Sequence, residues 1–185
     1  MSDIRETRKG TTSTEPGHPE VGGTYTKAAG YVAALLRIVL GWTFLWAFFD
    51  KTFGLGFATP AENAWVDGGS PTTGYLSGVE GPFAGFFNGM AGNAWADWLF
   101  MIGLLAIGLA LILGVGMRIA AVTGTLLLVF MYLASMPLVT NPITDSHWVE
   151  AIGIVLVTLL GAGEIAGFGR AWKRIPIVAK NRWLI

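Results

Sequence analysis

The chain has 185 residues, enough for one domain; 53% are hydrophobic and 13% charged, against roughly 25% charged in a soluble globular domain. It contains no cysteine and only two histidines. Structural disulfides, thiol chemistry, protein-held iron–sulfur clusters, cysteine zinc sites and three-histidine metal sites are therefore excluded within this chain, and no metal centre is expected. Twelve basic and twelve acidic residues cancel, so bulk charge does not point to nucleic acid.

In chain order, residues 1–27 are polar and rich in Ser, Thr, Pro and Gly. They read as a disordered cytoplasmic tail without a secretory signal, and His18 lies free within it. Four apolar stretches follow at about 31–53, 95–115, 118–138 and 147–168, each near the ~20 residues that a bilayer core requires. Only Gly116 and Met117 separate the second from the third, a tight helical hairpin, and Pro137 and Pro142 bracket the turn before the fourth. The expected fold is all-α: an integral membrane protein with a four-transmembrane-helix bundle over 28–169 and a basic arm over 170–185.

Orientation follows from the basic residues near the spans. Arg5, Arg8, Lys9, Lys27, Arg118, Arg170, Lys173, Arg174, Lys180 and Arg182 all fall on one side if both termini are cytoplasmic, whereas the opposite loops carry Lys51 alone. The long connection over 54–94 is then extracytoplasmic. It reads as an irregular cap, or as a lid over a lipid-side site, with Pro82 to Phe87 too short to span. Trp65, Trp95, Trp98 and Trp148 sit near that boundary, where indoles favour the headgroup level. The C-terminal arm interleaves Trp172, Ile175, Ile177, Val178 and Trp183 with basic residues, as expected of a segment lying on the membrane surface or docking onto a partner.

Ionisable groups inside a bilayer need partners or a route to water. Arg37, Gly41, Phe44, Phe48 and Lys51 fall on one stripe of the first helix, since fourteen residues return within about 40° of four full turns. Glu150, Gly153, Val157, Gly161 and Glu164 form a matching stripe on the fourth. Antiparallel packing would set Lys51 beside Glu150 and Arg37 beside Glu164, two rungs roughly 21 Å apart, with the glycines allowing close approach. Independent snorkelling of each charge is the alternative, and it fits Arg37 least well.

A second cluster, Asp50, Lys51, Asp97, His147 and Glu150, gathers at the outer ends. His147 and Glu150 share a helix face, and a histidine beside a carboxylate exchanges protons near neutral pH. One reading is interfacial groups facing water. The other is a quinone or small-anion pocket, with Lys51, Asp97, His147 and Glu150 as candidate catalytic groups and Trp46, Phe48, Trp98 and Trp148 as apolar walls. Gly114-Val115-Gly116 has no preceding strand, so a dinucleotide site lacks its context.

The run from Arg37 through Gly41, Phe44, Phe48 and Asp50 to Lys51 resembles the first helix of the DoxX family, in its DoxD-like form. Gly114-Val-Gly-Met-Arg118, Asp145-Ser-His147-Trp148-Val-Glu150 and Gly161-Ala-Gly163 continue the resemblance in order. It implies a four-helix protein of the bacterial plasma membrane, partnered by lipid and by other redox or respiratory subunits. The implied activity is that of a membrane subunit in a quinone-linked complex of the thiosulfate:quinone oxidoreductase type. The chain departs from that chemistry in having no thiol for a sulfur intermediate, so donor oxidation would need a partner chain or a non-protein cofactor. A non-catalytic accessory subunit is the alternative, and a small-solute transporter fits least, because no inverted repeat is evident.

Overall fold

The computed structural model of the protein describes residues 27–184. The expected disordered tail, with Arg5, Arg8, Lys9 and His18, lies outside the described residues, as does Ile185. Helix α1 (Lys27–Phe53) leads into two short helices, α2 (Thr73–Ser77) and α3 (Ala84–Asn88), and then α4 (Ala94–Leu113), α5 (Met117–Ala134) and α6 (Ser146–Leu159). Helices α7 (Gly169–Trp172) and α8 (Pro176–Lys180) complete the order, and no strand occurs among the described residues. The fold is all-helical, and α1, α4 and α5 are long and apolar enough to cross a membrane.

The core lies where α1, α4, α5 and α6 meet, through Leu40, Phe44, Leu104, Ile107, Ile154 and Val157. Side chains on the opposite faces, such as Leu35, Val39, Leu99, Val122 and Ile152, are large, apolar and exposed. A belt of this extent suits lipid rather than water. The α1–α4 crossing is set by glycine. A Cβ on Gly41 would stand 2.9 Å from the Ile112 nitrogen, and one on Gly108 would stand 2.9 Å from the Leu45 nitrogen. Two backbones thus touch where lipid supplies no hydrophobic drive to associate them. Gly41 therefore serves α4 rather than the fourth apolar helix. Gly153 does face α1, since its Cβ would meet the Leu40 side chain at 3.1 Å, whereas one on Gly161 would meet nothing within 4 Å.

Three helices stop short of their expected ends, α4 by the least, at Leu113 instead of 115, where Gly114 turns left-handed. Helix α5 closes at Ala134 instead of 138, because the residue before Pro137 is pushed out of the α region. Helix α6 begins with Asp145 as N-cap, its carboxylate accepting from the His147 nitrogen at 3.0 Å, and it ends at Leu159 rather than at 168. Its 14 residues span roughly 21 Å. Gly161 takes a left-handed conformation with φ 65°, which stops the helix, and a 3₁₀ turn over Ala162–Glu164 follows. A Cβ on Gly167 or Gly169 would stand 2.6 Å from the Gly163 oxygen, so the segment after α6 is backbone packed on backbone.

Arg37 explains how that segment is held. It is fully buried, and its Nη1 donates to the carbonyls of Leu111 and Ile112, the latter at 2.9 Å, while Nη2 donates to Ala166 at 3.0 Å. The last carbonyls of a helix have no intrahelical partner, and each one left unpaired away from water is costly. In α4 all four are satisfied. Gly114 and Val115 nitrogens bond Ala110, Arg37 takes Leu111 and Ile112, and the Phe168 nitrogen bonds Leu113 at 2.8 Å. A helical side chain leans toward its own N-terminus, which aims the Arg37 guanidinium from α1 at this junction.

The expected two-rung ladder between the first and fourth helices is therefore not formed. Glu164 pairs with Lys173, Arg37 is spent on carbonyls, and no ion pair joins Lys51 to Glu150. The spacing and signs matched, but the turn at Gly161 takes Glu164 out of the helical register on which the match depended.

Candidate functional site

The connection between α1 and α4 is an ordered cap held by two buried carboxylates. Asp50, at the end of α1, accepts from the nitrogens of Phe57 at 3.2 Å and Ala58 at 3.0 Å. Asp97, in the first turn of α4, accepts from Ser70 Oγ at 2.9 Å, the Thr72 nitrogen at 3.0 Å and Thr72 Oγ1 at 2.7 Å. A carboxylate that accepts several protein donors is committed to structure. Asp97, expected among the reacting groups, is thus a clamp on the cap. Leu76, Val79 and Phe87 from the cap bury against Ala96 and Ala134 in a small second core.

Beneath the cap lies a cavity of about 480 Å³, within the usual range for a small-molecule site. Its walls are Trp95, Leu99 and Phe100 of α4, Leu127, Phe130 and Met131 of α5, and Tyr75, Phe86, Phe87 and Met90 of the cap. Phe86 stacks on Phe130 with ring centroids 6.4 Å apart, and Phe87 meets the same ring edge-on at 6.5 Å. One charged residue enters this apolar lining: Lys51. Its Nζ lies 5.9 Å from the centroid of the Phe100 ring, a cation–π contact, with no carboxylate of the described residues at ion-pair distance. Two hydroxyls of the lining are already engaged. Thr72 serves Asp97, and the Tyr75 hydroxyl meets the Met131 carbonyl at 3.3 Å and Ser135 Oγ at 3.2 Å.

Of the candidates expected from sequence, Lys51 alone lines this cavity. His147 and Glu150 contribute nothing to its walls. His147 Nδ1 instead meets Asp145 Oδ2 at 2.7 Å at the start of α6, both side chains mostly buried. The expected aromatic walls are dispersed into separate pairs. Trp46 packs on Phe57 at 5.0 Å, Phe48 on Phe49 at 5.7 Å, Trp98 on Trp65 at 4.7 Å and Trp148 on Tyr132 at 5.6 Å. The walls of this cavity, Phe86, Phe87, Trp95, Phe100 and Phe130, are a set that the sequence analysis does not single out. One signal pointed to them: a connection too short to span carries Phe83, Phe86 and Phe87, which only an apolar surface beneath would call for. Among the described residues, no group of three metal-ligating side chains comes together.

Comparison with family models, characterised proteins and solved structures finds no match for this chain.

Proposed function

We propose that the chain is a four-span protein of the bacterial plasma membrane, with both termini cytoplasmic and the cap outside. In this reading it serves as the membrane subunit of a quinone-linked redox assembly similar to the DoxX family, and the cap cavity takes the quinone. The fourth crossing consists of α6 continued by the turn that Arg37 holds through the Ala166 carbonyl, a partner of the kind that irregular backbone at membrane depth requires. The basic residues Arg118, Arg170, Lys173, Arg174 and Lys180, all at the end away from the cap, support that orientation.

The observation that carries the functional reading is the pairing of one ammonium, Lys51, that has no ion-pair partner among the described residues, with an otherwise apolar, aromatic-walled cavity on a lipid-facing flank. A quinone presents a flat ring for aromatic walls, a carbonyl for a cationic donor and an apolar tail for lipid. Lys51 would donate to the ring carbonyl and stabilise the negative charge that gathers on that oxygen during reduction, in a region of low dielectric. Two electrons from a small reductant such as thiosulfate, oxidised on a partner chain, and two protons convert quinone to quinol. The Asp145–His147 pair at the same end of the bundle is the candidate for exchanging those protons with water. The chain has no cysteine, which favours a partner as the site of donor oxidation. An accessory subunit without turnover of its own remains the second reading on the same ground.

The test is binding of a short-tailed quinone analogue to the full chain in lipid nanodiscs, followed by quenching of tryptophan fluorescence, since Trp95 lines the cavity. Lys51→Met should weaken binding about ten-fold, the equivalent of one hydrogen bond to a charged group. With copurified partners and reductant, the same variant should lose quinone reduction. A wild-type chain that fails to bind the analogue, or a variant that binds equally well, refutes the site. Binding without turnover in any purified assembly selects the accessory reading.

A further inference from the structure

After α6 the chain stays at the end of the bundle away from the cap, held there at three points. The Phe168 nitrogen bonds the Leu113 carbonyl at 2.8 Å, Trp172 of α7 shares a recess with Gly116 and Met117, and the turn over Arg182–Leu184 packs against α5. The Trp172 indole nitrogen donates to the Leu184 carbonyl at 2.8 Å, which closes the arm on itself. Leu113 and Met117 are the ends of two helices of membrane-spanning length, so these contacts fix the arm at the depth where the hydrocarbon stops. What the arm turns outward is of two kinds. Phe168 is 63% exposed, Ile177 66% and Trp183 63%. Arg170, Arg174 and Lys180 are exposed as well and form no ion pair among the described residues. Lys173 is not counted with them, because Glu164 holds it. After Glu164 the sequence contains no acidic residue.

We propose that the arm over 168–184 is an interfacial anchor that docks on the anionic lipid surface around the bundle. Apolar side chains interleaved with unpaired cations suit a surface that is apolar below and negatively charged above. The Trp183 indole stands at the headgroup level that indoles favour, and the long stems of the arginines and the lysine let their charged ends rise to the phosphates. A zwitterionic surface would accept Phe168, Ile177 and Trp183 but offer three cations no net charge to meet. A protein partner would have to displace the lipid that surrounds this depth in any membrane. Docking of the arm requires a bilayer around the bundle, but neither a particular orientation nor a quinone in the cap cavity.

Hydrogen–deuterium exchange of the full chain tests it, in nanodiscs of phosphatidylglycerol and of phosphatidylcholine with identical acyl chains. Amides over 170–181 should exchange about ten-fold or more slowly in phosphatidylglycerol, since each cation near an anionic surface contributes about a five-fold preference and the arm carries three. Arg174→Gln should reduce that ratio about five-fold. Arg170→Gln, Arg174→Gln and Lys180→Gln combined should erase it while the amides of α4 and α5 keep their protection. Ala179→Lys, at an exposed position, should raise the ratio about five-fold, a gain that misfolding cannot produce. Equal exchange in the two lipids overturns the anionic assignment, as does an unchanged ratio in the triple variant. Exchange as slow in detergent micelles as in phosphatidylglycerol overturns it in favour of an arm held by the bundle alone. Protection that appears only with a copurified protein overturns it in favour of protein docking. A chain that does not enter nanodiscs refutes the membrane-spanning reading itself, and the arm's docking with it.

Discussion

Replacing Arg37 by Leu separates a carbonyl-capping role from an ion-pairing one. The substitution keeps an apolar side chain in a fully buried position and removes every donor from the carbonyls of Leu111, Ile112 and Ala166. Each buried carbonyl left unpaired costs about 1–3 kcal/mol, so three cost about 3–9 kcal/mol. Relief from burying a guanidinium offsets part of this, and the expected net loss is about 3–5 kcal/mol, a large fraction of a typical domain stability. Arg37→Lys should fall between, because one nitrogen cannot reach both α4 and Ala166. Glu164→Gln supplies the contrast. Its carboxylate lies at the surface with Lys173, about 40% exposed, so its removal should change stability by less than about 0.5 kcal/mol. Were Arg37 held instead by Glu164, the same change would strand a buried charge at a cost of about 3–5 kcal/mol. Denaturant titration in mixed micelles, read by tryptophan emission and far-ultraviolet circular dichroism, gives both numbers. An Arg37→Leu protein as stable as the parent, or a Glu164→Gln protein as damaged as Arg37→Leu, refutes the capping argument.

Asp97→Ala leaves Ser70 and Thr72 without their acceptor and should loosen the cap by about 2–4 kcal/mol; limited proteolysis should then cut within 68–78 while the long helices resist. Gly108→Ala should destabilise by about 1–3 kcal/mol through overpacking against α1, whereas Gly103→Ala, whose Cβ would meet only a side-chain carbon at 3.9 Å, should be neutral or raise stability by about 0.5–1 kcal/mol. Equal unfolding midpoints for the two would contradict the described crossing. Trp98→Ala should leave binding of the quinone analogue unchanged within two-fold, because its ring packs on Trp65 outside the cavity, while Phe130→Ala should weaken it measurably; the reverse order would favour the aromatic set expected from sequence.

What the linear pattern made legible were properties repeated over many residues. Apolar stretches of bilayer length mark α1, α4, α5 and the start of α6, because burial in lipid is a sum over about twenty side chains and tolerates local exceptions. Gly116 marks the hairpin between α4 and α5, because a left-handed backbone is strained for other residues. The Phe-rich stretch before α4 marked the cap as facing something apolar, and Lys51 was singled out as a charge at a membrane boundary.

Tertiary structure alone decided who partners whom. A buried arginine was matched to a carboxylate because side chains are what a sequence displays, but its partners are backbone carbonyls, which every residue carries and no pattern distinguishes. Those carbonyls became available only because α4 ends at Leu113 and α6 ends at Leu159, two events on separate segments brought together by the α1–α4 glycine crossing. The same holds for the cavity. Trp46, Phe48, Trp98 and Trp148 had the right chemistry and the right depth, yet rotation about each helix axis turned them to separate neighbours, while Phe130 and the cap phenylalanines converged from distant parts of the chain. Depth along a helix follows from counting residues; direction around it and the point at which a helix stops depend on contacts that exist only once the whole chain is packed.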